Sequence, residues 1–415
     1  MSQAQSVPAV CVVIGASHAG SLLAVQVRKE GWQGRIVLIS AEKHMPYHRP
    51  PLSKAVLSGE KEVDAVLLRP ALMYSNNDIE LRLGEQVMRI SRTEKSVHLA
   101  SGEILAYDKL ALCTGASPRH IPMGEGLAGV HYLRNADDVV GIQSQMEAGK
   151  RAVIVGGGYI GLEVAAVMSK MGLLVSVVEM ADRLLQRVAS PVISDYFRLL
   201  HEHHGVSVLT NASVEGILEE GAELSVLFGD ASQIAADIVV IGVGVLPETG
   251  LAKAAGLEVA DGIVVDAYMG TSDPDIVAAG DCTVFPSARY GRSLRLESVQ
   301  NALDQARVAA ANVCGKPQIY DSLPWFWSDQ YDVKLQSAGL RLDHEHEIVR
   351  GNPNVIDEQG ISVFYLRGEH MIAADCVNNA KEFMACKKLI AERLPVNLEA
   401  LADLSKGPAD FAAQS

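Results

Sequence analysis

The chain has 415 residues, 48% of them hydrophobic and 21% charged, with no low-complexity tract. That length exceeds what one hydrophobic core serves and, at about 150 residues per domain, predicts roughly three domains of an ordinary folded protein. A formal net charge of −14 argues against nucleic acid and anionic lipid as partners, because like charges repel at long range.

The opening MSQAQSVPAV lacks the charged-then-apolar order of a leader, and charged residues interrupt every long apolar stretch before it reaches membrane-spanning length. The sequence therefore reads as cytoplasmic, with no membrane partner. Cys11, Cys113, Cys282, Cys314, Cys376 and Cys386 show no CxxC or other ligand spacing, which predicts buried free thiols and no metal site.

Residues 9–40 read strand, glycine turn, helix, strand. Their loop, Gly15-Ala16-Ser17-His18-Ala19-Gly20, is a GxGxxG fingerprint with Ser17 in place of the middle glycine. Such a loop lays a pyrophosphate on a helix N-terminus with no side chain in the way. Glu42, 22 residues beyond Gly20, stands where a carboxylate accepts hydrogen bonds from an adenosine ribose. A ligand-free helix start and a solvated loop acid are the competing readings. In HMPYHRPPLSKAVLSGE (44–60) the consecutive prolines predict an extended path that presents Arg49, Ser53 and Lys54 inward.

Two β-rich runs, at 107–116 and 236–249, contain glycine-terminated strands and bracket a second βαβ unit, as chain crossings between domains would. That unit, 151–179, holds an intact GxGxxG in Gly156, Gly158 and Gly161, with Glu179 closing the next strand. A purely structural glycine turn is the alternative. A carboxylate at Glu179 pairs with a ribose 2′-hydroxyl and repels a 2′-phosphate, which favours NADH over NADPH; Arg183 is placed to soften that preference. Two loops predict two dinucleotides and electron passage between them. From Leu323 the pattern changes to short alternating strands, then a helix at NAKEFMACKKLIAERL. The expected fold is α/β, with two Rossmann-like dinucleotide-binding domains in the glutathione-reductase arrangement, the second inserted in the first, plus a C-terminal α+β domain.

Four stretches carry a more specific likeness: HMPYHRPPLSK, GGGYIGLE (156–163), TSDPDIVAAGDC (271–282) and PWFWSDQYD (324–332). With them the chain resembles the FAD-dependent ferredoxin reductases that serve bacterial oxygenases, the group of putidaredoxin reductase and the reductases of biphenyl-type dioxygenases. The likeness runs in order along essentially the whole chain. The crossings and the change of pattern divide the chain into a domain of residues 1–114 and 247–323, an inserted domain of 115–246 and a C-terminal domain of 324–415; the resemblance implies FAD as the cofactor of the first and NAD as that of the second. It also implies that Asp281 binds the ribityl hydroxyls and that the helix after Ser298 directs its positive end toward the flavin pyrimidine, where a helix N-terminus stabilises the charge of a reduced flavin. Thr114 and Gly115 match the strand that approaches the flavin, joining Gly15, Ser17, Gly20, Glu42, Arg49 and Ser53. On the nicotinamide side Gly244 joins Gly156, Gly158, Gly161 and Glu179.

By the same resemblance Glu163 faces the nicotinamide and pairs with Lys54 near flavin N5; each alone reads as a surface ion. Trp327, with Trp325 as a second candidate, matches aromatic residues near the flavin, although tryptophans in an apolar run are otherwise core. Lys54, Glu163 and Trp327 are thus the expected catalytic residues.

Ser53-Lys54 stands where disulfide reductases carry a cysteine pair, so the acceptor is expected to be external. In the resembled family it is a [2Fe-2S] ferredoxin that supplies a Rieske dioxygenase or a thiolate-haem monooxygenase. An acidic ferredoxin needs a cationic dock on an acidic enzyme, for which Arg307 and Lys387-Lys388 are candidates; a solvated helix face explains them equally. The competing functions are an NADH oxidase or a reductase of quinone or dehydroascorbate, and a redox-sensing protein like apoptosis-inducing factor. The sequence leaves the oligomeric state and the identity of the ferredoxin open.

Overall fold

The apolar runs that end in glycine become the central strands of two parallel sheets in the computed structural model, which describes residues 9–221, 223–356 and 360–413. In chain order the strands of these sheets are β1 (Val10–Ile14), β2 (Arg35–Ser40), β3 (Ile79–Leu83), β4 (Lys109–Leu112), β5 (Val130–Tyr132), β6 (Arg151–Val155), β7 (Leu174–Val178), β8 (Ser207–Leu209), β9 (Ile238–Ile241) and β10 (Ile276–Ala278). The helices that bear on the site are α1 (His18–Lys29), α2 (Tyr159–Lys170), α3 (Pro191–His203) and α4 (Val299–Val313).

The chain packs into two units, the first made of the residues up to Arg49, Glu62–Ser117 and Val245–Ser322, the second of Pro50–Lys61, Pro118–Gly244 and the residues from Leu323 on. In the first unit the parallel order is β10-β4-β1-β2-β3. Cys11, Val12 and Val13 of β1 are fully buried, which is why this strand is a continuous apolar run and does not alternate. Helix α1 packs on α4, whose buried Ala306, Ala309 and Ala310 let the two backbones approach.

The second unit repeats the plan with a parallel sheet ordered β8-β7-β6-β9-β5. The same unit contains an antiparallel sheet of β11 (Trp325–Gln330), β12 (Val333–Gly339), β13 (His346–Arg350), β14 (Ile361–Arg367) and β15 (His370–Val377), in the order β11-β12-β15-β14-β13, with helix α5 (Ala380–Glu392) against it. The architecture is thus the expected α/β fold of two Rossmann-like parts with a C-terminal α+β part. No helix among the described residues is long and apolar enough to cross a membrane.

One local expectation is corrected. The prolines after Arg49 do not run extended: Pro50–Ser53 form a 3-10 turn, because the fixed φ of proline suits the first turn of a helix as well as an extended path. This turn belongs to the second unit, where Gln143 Nε2 donates to the carbonyls of Val56 and Leu57 at 2.7 and 3.2 Å.

The C-terminal end is held by Arg350, 6% exposed. Its guanidinium donates to Glu382 at 2.7 Å and to the carbonyls of Asp403 and Lys406 at 2.6 Å each. Replacing Glu382 by Ala strands a buried cation and is expected to cost about 3–5 kcal/mol. The check is a lowered midpoint of thermal unfolding; a midpoint equal to the parent's would show that the pair adds nothing.

Candidate functional site

In the first unit the loop between β1 and α1 is shaped by close backbone approach. Gly15 has φ +98°, and a Cβ there would lie 2.1 Å from the Cys113 carbonyl oxygen; a Cβ on Gly20 would lie 1.8 Å from the Gly15 carbonyl oxygen. Ser17 is the N-cap of α1 but makes no side-chain cap bond. The first-turn N–H groups of a helix lack partners within it, so this end is built to receive an anion.

Arg49 reaches the loop: its Nε donates to Ser17 Oγ at 3.3 Å, its Nη1 to Tyr47 Oη at 3.3 Å and its Nη2 to Glu42, which also accepts from the Tyr47 hydroxyl. Glu42 is therefore clamped beside the loop, with a carboxylate available to a ribose at a fixed position. Gly280 (φ +96°) brings its turn to α1, where an added Cβ would sit 3.3 Å from Ala19 Cβ, and Asp281 follows on that turn. Ser298 caps α4, its hydroxyl accepting from Asn301 N at 3.1 Å. Thr114 Oγ1 donates to the Glu248 carbonyl at 2.6 Å, and Gly115 O accepts from Glu248 N at 2.9 Å, tying the strand that leaves this unit to the one that returns.

In the second unit Gly156 has φ +111°, with a Cβ position 2.4 Å from the Gly242 carbonyl oxygen, and a Cβ on Gly161 would lie 2.2 Å from the Gly156 carbonyl oxygen. Gly158 differs. It is the N-cap of α2 at φ −82° and ψ 177°, an ordinary extended conformation, and a Cβ there would meet nothing within 4 Å. The protein itself does not need glycine at this position. The open space would admit a phosphate approaching the backbone, and Ser17 occupies the corresponding N-cap of the first loop at φ −82° and ψ −156°.

Glu179 accepts from the N–H groups of Gly157 at 2.7 Å and Ala181 at 2.8 Å, which orients its carboxylate at the end of β7. Arg183 is turned away from any 2′-phosphate role: it donates to the carbonyls of Ala189 (2.9 Å) and Gln186 (3.0 Å) and to Ser194 Oγ (2.7 Å). Gly244, at φ +103°, lies against Arg187, whose Nη2 would be 3.1 Å from an added Cβ.

Helix α2 carries Glu163 one turn inward, 5% exposed. Lys54 Nζ lies 2.6 Å from its carboxylate, Ser53 Oγ donates to the same oxygen at 2.5 Å, and Ser328 Oγ of β11 donates to the other at 2.6 Å. Lys54 Nζ also donates to the Pro50 carbonyl at 3.2 Å. The 3-10 turn is what aims consecutive residues 53 and 54 at one carboxylate. A buried ion pair of this kind is weak evidence for stability; geometrically it fixes one positive charge beside a buried carboxylate.

Two dinucleotide loops and one fixed cation define a class of chemistry, and comparison with known proteins agrees. The family described as pyridine nucleotide-disulphide oxidoreductase matches residues 9–306, and the reductase C-terminal family matches 325–407. Putidaredoxin reductase of Pseudomonas putida is 41% identical over 401 residues, 95% of this chain and 94% of that protein. Rhodocoxin reductase of Rhodococcus erythropolis is 42% identical over 394 residues, 94% of this chain and 92% of its own. The chain belongs to the ferredoxin reductases of the pyridine nucleotide-disulphide oxidoreductase family. Among solved structures the covalent putidaredoxin reductase-putidaredoxin complex superposes with a TM-score of 0.93 at 40% identity, covering 97% of this chain and 98% of that one.

A ferredoxin reductase of this family is a flavin- and pyridine-nucleotide-dependent oxidoreductase, although its family is named for disulphides. The cysteines here are unsuited to that chemistry. Cys11, Cys113, Cys282, Cys376 and Cys386 are buried and Cys314 half-buried, all as free thiols; burial pushes the Cys11 thiol up to about 12 and raises Cys113 and Cys282 as well, which removes the reactive thiolate.

The remaining expected residues fall elsewhere in the second unit or on α4. Trp327 lies half-buried on edge strand β11, 5.6 Å from the Trp325 ring. Trp325 contacts Phe383 and carries Lys387 Nζ 4.7 Å over its ring, so one cation of the expected dock is engaged with an aromatic face. Arg307 pairs with Asp304 at 2.5 Å, one turn back on α4. Sequence reasoning missed Ser328 and Tyr47. Ser328 lies inside PWFWSDQYD, and the polar run that follows three aromatics there was the available signal.

Proposed function

We propose that this ferredoxin reductase takes hydride from NADH onto FAD and delivers single electrons to a [2Fe-2S] ferredoxin, which supplies a Rieske dioxygenase or a thiolate-haem monooxygenase. The observation that carries the proposal is the Lys54-Glu163-Ser53 cluster, built in a chain that has two dinucleotide loops and no reactive thiol pair. Bound FAD accepts two electrons as hydride and releases them one at a time, which an external one-electron acceptor requires.

In this reading Gly15, Ser17, Gly20, Glu42, Arg49, Thr114, Gly115, Asp281 and Ser298 hold FAD, and Gly156, Gly158, Gly161, Glu179 and Gly244 hold NADH. Lys54 keeps a cation at the hydride-accepting position, Glu163 holds Lys54 there, and Ser53 and Trp327 complete the flavin surroundings. The corresponding division is an FAD domain of 1–114 and 247–323, an NAD domain of 115–246 and a C-terminal domain from 324. Relatives named for putidaredoxin and rhodocoxin support the acceptor class. The need for NADH and the absence of any close cysteine spacing that a disulfide framework would show support a cytoplasmic workplace.

The donor preference rests on Glu179 and on the tethering of Arg183. Glu179→Ala is expected to raise KM for NADH by about tenfold, the loss of a hydrogen bond to a charged group, and to leave NADPH a poor substrate because no cation is released. Strong activity with NADPH in that variant would overturn the role given to Arg183.

The whole proposal is tested by anaerobic spectral titration. NADH should bleach the yellow protein, and a [2Fe-2S] ferredoxin should restore its colour while becoming reduced. Turnover with oxygen or quinone but none with any ferredoxin would assign the chain to the small-acceptor reductases.

A further inference from the structure

Glu163 is the end of a longer polar row that the hydride chemistry as described does not use. Ser328 and Gln330 alternate on β11 and so face the same side of the sheet. The Gln330 side chain meets His201 on α3, and Ser328, Gln330 and His201 are 0%, 1% and 0% exposed. Gln330 Nε2 donates to Ser328 Oγ at 3.2 Å, His201 Nε2 lies 2.8 Å from Gln330 Oε1, and the Tyr331 hydroxyl lies 3.4 Å from His201 Nδ1. Tyr331, at φ +57° in the β11-β12 turn, stacks on His204 with ring centroids 3.7 Å apart, which fixes where its hydroxyl points.

The direction of these bonds is not arbitrary. Ser328 must give its proton to a carboxylate, so it accepts from the Gln330 amide; that turns the Gln330 carbonyl toward His201, which must then carry its proton on Nε2. Burial lowers the His201 pKa to about 4, and a neutral ring has the one donor and one acceptor that the row requires. Every donor therefore points toward Glu163, and aligned hydrogen bonds in a dry interior polarise one another.

We propose that Ser328, Gln330 and His201 are positioning residues for hydride transfer, a directed donor chain that holds the Glu163 carboxylate and, through it, Lys54. The proposal rests on the role given above to Lys54 and Glu163. A merely space-filling row would stabilise the second unit without setting the rate of flavin reduction.

The test uses flavin-loaded full-length protein, with the limiting rate of reduction at saturating NADH measured in an anaerobic stopped flow. Ser328→Ala is expected to slow it roughly tenfold, with Ser328→Thr restoring it to within about twofold by returning the hydroxyl. His201→Phe should slow it about threefold, and Ser328→Ala with His201→Phe should be no slower than Ser328→Ala alone, because His201 acts only through Ser328. Nuclear magnetic resonance of ¹⁵N-histidine protein, before any NADH is added, should give the Nε2-protonated tautomer at His201 and no protonation between about pH 7 and pH 5. Should Ser328→Ala lose FAD, Gln330→Leu and His201→Phe interrogate the same chain from farther out. Unaltered limiting rates, multiplicative losses in the double variant, or an Nδ1-protonated His201 would each overturn the proposal. Wild-type protein that NADH fails to reduce would instead bring down the functional reading on which it rests.

Discussion

Replacing Lys54 by Met is expected to leave FAD bound and to slow reduction by saturating NADH about a hundredfold, the effect of removing one preorganised charge or donor from an enzyme site. Lys54 makes an ion pair of 2.6 Å to a carboxylate that is 5% exposed, so its charge is held by a rigid, buried partner. Methionine keeps most of the apolar stem, one atom shorter, and removes the ammonium charge together with its donors, including the bond to the Pro50 carbonyl. The same change leaves Glu163 with hydroxyl donors alone, from Ser53 and Ser328, and stranding a buried charge costs about 3–5 kcal/mol of stability. The two effects separate in Lys54→Met with Glu163→Gln, which should recover much of the thermal stability and none of the rate. Flavin absorbance per protein and stopped-flow reduction decide it: a single variant that reduces at the parental rate refutes the assigned role.

The glycines of the second loop divide into those the fold needs and one, Gly158, that the proposed reading gives to the ligand. Gly158→Val is expected to fold, to retain FAD and to weaken NADH binding by about a hundredfold. Its extended backbone accepts a β-branched residue, and a Cβ meets no protein atom within 4 Å. On the proposed reading the added side chain takes the space in which a phosphate approaches the N-terminus of α2. Gly156→Ala, by contrast, puts a methyl 2.4 Å from a carbonyl oxygen at φ +111° and is expected to destabilise the second unit as a whole. Spectral titration with NADH, paired with thermal unfolding of both variants, checks the contrast. A Gly158→Val protein that binds NADH like the parent would remove the loop from the nucleotide site.

The order of elements, the two βαβ units and the change of pattern at Leu323 were legible in the sequence. These are encoded locally: strand and helix periods, glycines where the backbone must pass close, and an acid at the end of the following strand. The Lys54-Glu163 partnership was reachable only through family resemblance, since the two are 109 residues apart in the chain and each alone is an ordinary charged residue. What only the tertiary structure decided was which polar side chains share a carboxylate, how Pro50–Ser53 turn, and that Arg183 is bound to its own loop. Ser328 donates to Glu163 because strand register puts alternate residues of β11 on one face, and His201 joins them because α3 packs there. Local spacing determines what a segment can form; the direction in which a buried side chain finds its partner depends on how distant segments pack, and no periodicity in the chain records it.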